Sequence, residues 1–121
     1  MEKLTEREWT VLEALWALDG GELGAVTEQL HPETGWNRNT VLTYLTRMEK
    51  KGLVTIDKTA APHVYRAAYS RESCQAEAHH RFLRRVYRGA AGDLVTAFLK
   101  EEPISKEERD RLRDLLDEME V

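Results

Sequence analysis

The chain has 121 residues, 41% hydrophobic and 33% charged, with 3 Pro and 7 Gly. This length excludes a multi-domain enzyme, and the composition excludes disordered, collagen-like and repeat architectures. The net charge of −4 argues weakly against a nucleic-acid binder but conceals a segregation: residues 1–35 carry two basic and eight acidic side chains, 36–66 six and two, 67–92 five and two, and 93–121 five and ten. A basic middle between acidic ends can focus a positive field on one face and makes an anionic partner plausible there. No apolar run approaches the roughly 20 residues of a spanning helix, and the N-terminus MEKLTERE is charged where a secretory signal is apolar. A soluble, cytoplasmic protein without membrane insertion is expected, and the single cysteine, Cys74, agrees with a reducing compartment.

Thr5 and Glu8 have capping-box spacing, and Leu4 can staple onto Trp9, so a first helix is expected over about Glu6–Leu18. Val11, Leu12, Leu15 and Trp16 widen its apolar face, and Asp19-Gly20-Gly21 stops it. Leu23, Val26 and Leu30 mark a second helix, expected to end at His31 because Pro32 disfavours helical geometry in the residue before it. Asn37 is a good N-cap, with Trp36 and Val41 as a second staple, for a third helix over Arg38–Lys51 closed by Gly52. At 100° per residue, Val41, Tyr44, Leu45 and Met48 share one side of it. Asn39, Thr43, Thr46 and Lys50 share the other, flanked by Arg38 and Arg47. Taken alone, such a polar stripe is a solvated helix face.

Leu53–Lys58 and His63–Ala67 alternate around Thr59-Ala60-Ala61-Pro62, the pattern of a β-hairpin. Three helices and a hairpin form the order of a winged helix-turn-helix, whose third helix enters the major groove while the wing touches flanking backbone. The fold class expected is therefore mainly α: a winged-helix domain over 1–69, then a helical segment over 70–121. In that segment Ser70 or Ser73 can cap a helix to about Arg88 bearing Phe82, Leu83, Val86 and Tyr87. A shorter helix carries Leu94, Val95, Phe98 and Leu99, and a last one, with a Ser105/Glu108 capping box, carries Leu112, Leu115, Leu116 and Met119. Three short helices do not bury these faces alone; they pack on a second copy or fold back on the N-terminal domain, and the small core favours the former.

Leu4-Thr5-x-x-Glu8-Trp9, Leu15-Trp16, the block from Trp36-Asn37-Arg38-Asn39-Thr40-Val41 through Thr43, Leu45 and Arg47-Met48 to Lys50-Lys51-Gly52, and Phe82-Leu83, Tyr87-x-Gly89, Leu94-Val95-x-x-Phe98 and Leu115-Leu116 in the tail together resemble the BlaI/MecI family of penicillinase repressors, related to the CopY repressors. The resemblance covers nearly the whole chain. It implies a homodimeric winged-helix repressor that binds double-stranded operator DNA, holds its dimer through the C-terminal helices, and has neither catalytic activity nor a cofactor. Three departures accompany it. Where the family has Trp-Ser-x-Lys-Thr, this chain has Trp36-Asn37-Arg38-Asn39-Thr40; its wing, Ala60-Ala61-Pro62-His63, is poor in charge; and Ala97-Phe98 stands where members of the penicillinase branch are cleaved, typically after Asn, in a pathway started by a membrane metalloprotease sensor. Phe98 thus has two readings, packing and cleavage.

The base-reading candidates are Arg38, Asn39, Thr43 and Arg47; the phosphate candidates are Asn37, Thr40, Thr46, Lys50, Lys51, Lys58, His63 and Arg66. Other chemistry is thinly supported. Cys74, Glu77, His79 and His80 invite a metal reading, but adjacent histidines diverge by about 100° on a helix and the copper branch's Cys-x-Cys pairs are missing. No metal is expected, and these residues read better as half-buried dimer-interface groups, with Glu77 paired to Arg81. Gly20-Gly21-Glu22-Leu23-Gly24 follows a helix and reads as a tight turn rather than a phosphate loop, and no nucleophile triad or HExxH is present. The alternatives are a winged-helix regulator controlled by a small ligand, and a winged-helix protein-interaction module.

Overall fold

The computed structural model describes residues 1–120. In chain order its elements are α1 (Glu6–Leu18), α2 (Leu23–Thr34), α3 (Arg38–Lys50), β1 (Val54–Asp57), β2 (Val64–Ala67), α4 (Arg71–Tyr87), α5 (Ala91–Glu101) and α6 (Lys106–Glu118). They divide into two compact units, Met1–Ala78 and residues 79 onward. The division falls inside α4 rather than ahead of it, since Cys74 is buried in the core of the first unit. That burial corrects the reading of Cys74 as an interface residue: it is a small core hydrophobe, and desolvation pushes its thiol pKa up, away from reactivity.

The first unit is a winged helix. Leu12 and Leu15 of α1, Val26 and Leu30 of α2, and Val41, Leu45 and Met48 of α3 are almost fully buried against one another, the apolar stripes that the 3.6-residue period lays down. β1 and β2 pair antiparallel, Val54 opposite Ala67 and Ile56 opposite Tyr65. Gly21 adds a one-residue third strand. Its N–H donates to the Tyr65 carbonyl (3.0 Å) and its carbonyl accepts from the Tyr65 N–H (2.8 Å), so the glycine pair does more than turn. Trp16 Nε1–H donates to the Tyr69 carbonyl (2.9 Å), and Arg71 both pairs with Glu13 (2.8 Å) and lies over the Trp16 ring. Together these fasten the start of α4 to α1.

Sequence reasoning ended α2 at His31, but the helix continues through Pro32 to Thr34. Proline there forfeits one hydrogen bond in the last turn. The Thr34 hydroxyl donates to the Leu30 carbonyl (2.8 Å), and Gly35, at φ 66°, closes the helix with its N–H on the His31 carbonyl (2.9 Å).

The N-terminus of α1 carries the capping box. The Thr5 hydroxyl accepts from the Glu8 N–H (3.1 Å), and Glu8 Oε1 accepts from the Thr5 N–H (2.9 Å). Glu8 Oε2 sits 2.9 Å from Lys51 Nζ, and the Glu8 side chain is only 7% exposed. Burial works to raise the Glu8 pKa, but the Thr5 N–H, the Lys51 ammonium and the Thr5 hydroxyl outweigh it and hold the carboxyl below the ordinary glutamate value. Replacing Glu8 by Ala is expected to cost about 1–2 kcal/mol in urea unfolding at neutral pH. Because the folded-state value is depressed, the ionised group's contribution is complete above the ordinary value of 4.5 and fades as pH falls through the folded-state value. The gap between wild type and Glu8→Ala should therefore narrow in acid; a constant gap would mean that the Lys51 pair contributes nothing.

In the second unit, Phe82, Val86, Val95, Phe98, Leu99, Leu115, Leu116 and Met119 are all exposed, and neither α5 nor α6 contains a buried residue. Leu83, Tyr87, Leu94 and Leu112 are half-buried. Ser105 caps α6, accepting from the Glu108 N–H (3.1 Å), while the Glu108 carboxylate takes the Ser105 hydroxyl (3.3 Å) rather than the backbone N–H of a full capping box. Ser70 rather than Ser73 caps α4, its hydroxyl accepting from the Ser73 N–H (3.1 Å).

Candidate nucleic-acid interface

The site is built on α3. Asn37 Oδ1 accepts from the Thr40 N–H (2.9 Å), which fixes the helix start and leaves the Asn37 amide N–H groups to donate outward. From there Val41, Leu45 and Met48 point into the core while Arg38, Asn39, Thr43, Thr46, Arg47 and Lys50 are exposed, with Thr40 half-buried. Among the described residues no hydrogen bond or ion pair occupies the Arg38, Asn39, Arg47 or Lys50 side chains. The Thr43 hydroxyl donates to the Asn39 carbonyl (2.9 Å) and keeps its acceptor lone pairs and methyl group. Exposed Arg and Asn side chains on one helix supply two kinds of bidentate group, a pair of donors for a guanine edge and a donor with an acceptor for an adenine edge, in a major groove.

Three of the cationic phosphate candidates have internal partners. Lys51 is bound to Glu8, and that carboxylate raises its pKa. Arg66 Nη1 donates to the Asp19 carbonyl (2.7 Å) at the C-terminal end of α1, lying so close over Gly20 (φ +89°) that a Cβ there would meet it at 2.8 Å. Lys58 lies 3.7 Å from Glu49. The wing adds a fixed negative charge, because the Thr59 hydroxyl (2.6 Å) and backbone N–H (3.0 Å) both bind the Asp57 carboxylate and hold its pKa below the usual range. His63 is exposed beside the cis Ala61–Pro62 bond. Positive charge free to meet an anion is thus concentrated on α3 rather than on the wing.

Two features escaped sequence reasoning. Leu42 is 38% exposed between Arg38 and Thr46, and its chemistry suits a thymine methyl rather than a polar edge; it lies on the flank of α3, outside both faces marked by periodicity. Trp36 stacks on Tyr44 with ring centroids 4.5 Å apart and planes 10° from parallel, and the Arg7 guanidinium of α1 lies 5.8 Å from the Trp36 centroid. Tyr44 read as a core residue, and nothing in the local pattern of α1 connects Arg7 with α3.

Ala97 and Phe98 both lie inside α5, Ala97 half-buried and Phe98 exposed. His79 and His80 are exposed rather than half-buried. No group of three His, Cys, Asp or Glu is placed to hold a metal among the described residues, and no helix among them is long and apolar enough to cross a membrane.

The chain is 25% identical over 114 residues to the methicillin resistance regulatory protein MecI of Staphylococcus aureus (strain N315), covering 94% of this chain and 93% of that protein. It is 27% identical over 116 residues to the penicillinase repressor of Bacillus licheniformis, covering 96% and 91%. The solved PcaV transcriptional regulator from Streptomyces coelicolor, in complex with its natural ligand, aligns with a TM-score of 0.46 and 23% identity over 96% of this chain and 74% of that one, a likeness too distant to assign a site. The penicillinase repressor family model matches residues 4–118, taking in both the winged helix and the tail, and the chain belongs to that family.

Proposed function

We propose that this protein is a DNA-binding transcriptional repressor, cytoplasmic and without catalytic activity, that occupies a near-palindromic operator as a homodimer. The observation that carries the reading is α3: a capped helix on a packed winged helix, with Arg38, Asn39 and Thr43 facing outward to read bases and Arg47 exposed on the flank of that face. Asn37, Thr40, Thr46 and Lys50 are its phosphate contacts, with Lys58, His63 and Arg66 as lesser ones because Lys58 lies beside the Glu49 carboxylate and Arg66 is bonded to the Asp19 carbonyl. The exposed apolar side chains of the second unit, Phe98, Leu115 and Leu116 foremost, are the dimer contacts. Two-fold symmetry places the half-sites one or two helical turns apart. Release by cleavage at Ala97-Phe98, downstream of a membrane metalloprotease sensor, requires α5 to open locally first, since a helical segment does not fit a protease cleft.

The test is binding to the protein's own promoter fragment and to a random duplex across a salt series, with the mass in solution measured alongside. A dimer that prefers the promoter and loses affinity steeply with salt is expected, because each phosphate contact contributes about 0.9 to the log–log slope. Binding that ignores salt and sequence would replace this reading with a protein-interaction module.

A further inference from the structure

Arg7 is out of place by the rules of its own helix. It stands in the first turn of α1, at the positive end of the helix dipole, where carboxylates stabilise and cations do not. The segment around it is acidic, yet its guanidinium is turned to Trp36, 5.8 Å from the ring centroid, and Trp36 is stacked on Tyr44 of α3. Through Trp36 these contacts tie the start of α1 to α3 and limit where the cation can go. Arg7 also shares an open groove of about 470 Å³ with Arg47 and Lys51. Two carboxylates line the groove as well. Glu8 is consumed by the Thr5 N–H and by Lys51, leaving Glu6 as the opposing charge. Arg7 and Arg47, from different elements, are thus two exposed cations on the flank of the base-reading face.

Resting on the DNA-binding reading above, we infer that Arg7 and Arg47 clamp a DNA phosphate that flanks the α3 contact site. The ligand class is a phosphodiester. A guanidinium restrained by a cation–π contact loses less freedom when it binds phosphate than a free one does, and the Arg7 side chain is exposed. The α1 N-terminus adds positive potential at the same place. Arg7 contributes affinity without sequence information, and Arg47 joins it as a backbone contact more than as a base reader.

The inference is tested with full-length Arg7→Gln and Arg7→Lys on the promoter fragment and the random duplex over a salt series. Arg7→Gln is expected to lose about three- to tenfold on both duplexes alike and to lower the salt slope by about one, with the preference for promoter unchanged. Arg7→Lys should keep the slope. Gln and Lys variants that both match wild type in affinity and slope would overturn the inference while leaving the repressor reading intact. An equal loss of slope in the two variants, together with a lowered melting temperature, would reassign Arg7 to packing and overturn it as well. Wild-type protein without salt-dependent DNA binding would overturn the reading beneath it.

Discussion

Replacing Arg38 with alanine is expected to cut affinity for the promoter about 5- to 150-fold, or about 1–3 kcal/mol, while changing affinity for random duplex far less. Arg38 is the first residue of α3, exposed and without an internal partner among the described residues, so its guanidinium is available for the two acceptors of a guanine edge. Its backbone lies next to the Asn37 cap, whose bond to the Thr40 N–H defines the helix start. The substitution leaves that cap in place, so a folding defect would not imitate the expected result. Binding curves on the two duplexes decide the matter: equal losses on both would make Arg38 a phosphate contact and move base reading to Asn39 and Thr43.

Phe98→Ala is the second large effect. The second unit exposes apolar side chains along α4, α5 and α6, and Phe98 is 54% exposed at its position on α5. A shallow recess of about 240 Å³ between α5 and α6, lined by Leu99, Ile104, Leu112 and Leu116, lies on the same unit. Aromatic anchors carry much of an interface's energy, and truncating one in a packed interface costs about 2 kcal/mol or more, which is at least about 30-fold in dissociation constant. In the proposed homodimer two-fold symmetry takes the ring from both partners at once. Sedimentation over a concentration series should find Phe98→Ala dissociating at higher concentration than wild type, with promoter affinity falling in parallel because half-sites are then engaged singly. A variant that remains dimeric at the same concentrations would remove Phe98 from the interface.

The wing's basic side chains are drawn into particular contacts. Its low charge was legible in Ala60-Ala61-Pro62-His63, but Lys58 and Arg66 still counted there as phosphate cations. Only the folded chain brings Glu49 to Lys58 and the Asp19 carbonyl to Arg66. Likewise Lys51 belongs by position to the basic end of α3, and its commitment to Glu8 spans 43 residues of sequence. A linear pattern counts charges; the fold decides which of them already have a partner.

By itself the amino-acid sequence determined the local structure and the face that α3 turns outward. The capping residues Thr5, Asn37 and Ser105, the helical spacing of Val41, Leu45 and Met48, and the alternation around the wing turn are all short-range, and the elements stand where those signals put them. The end of α2 escaped because a proline in a last turn removes only one bond, a cost that Gly35 and Thr34 absorb. Tertiary structure alone decided the rest: Cys74 in the core, Gly21 as a strand against Tyr65, Leu42 at the surface, and Arg7 on the Trp36–Tyr44 stack. Apart from Leu42, each depends on partners distant in the chain, and periodicity carries no information about which distant residues a packed core brings together.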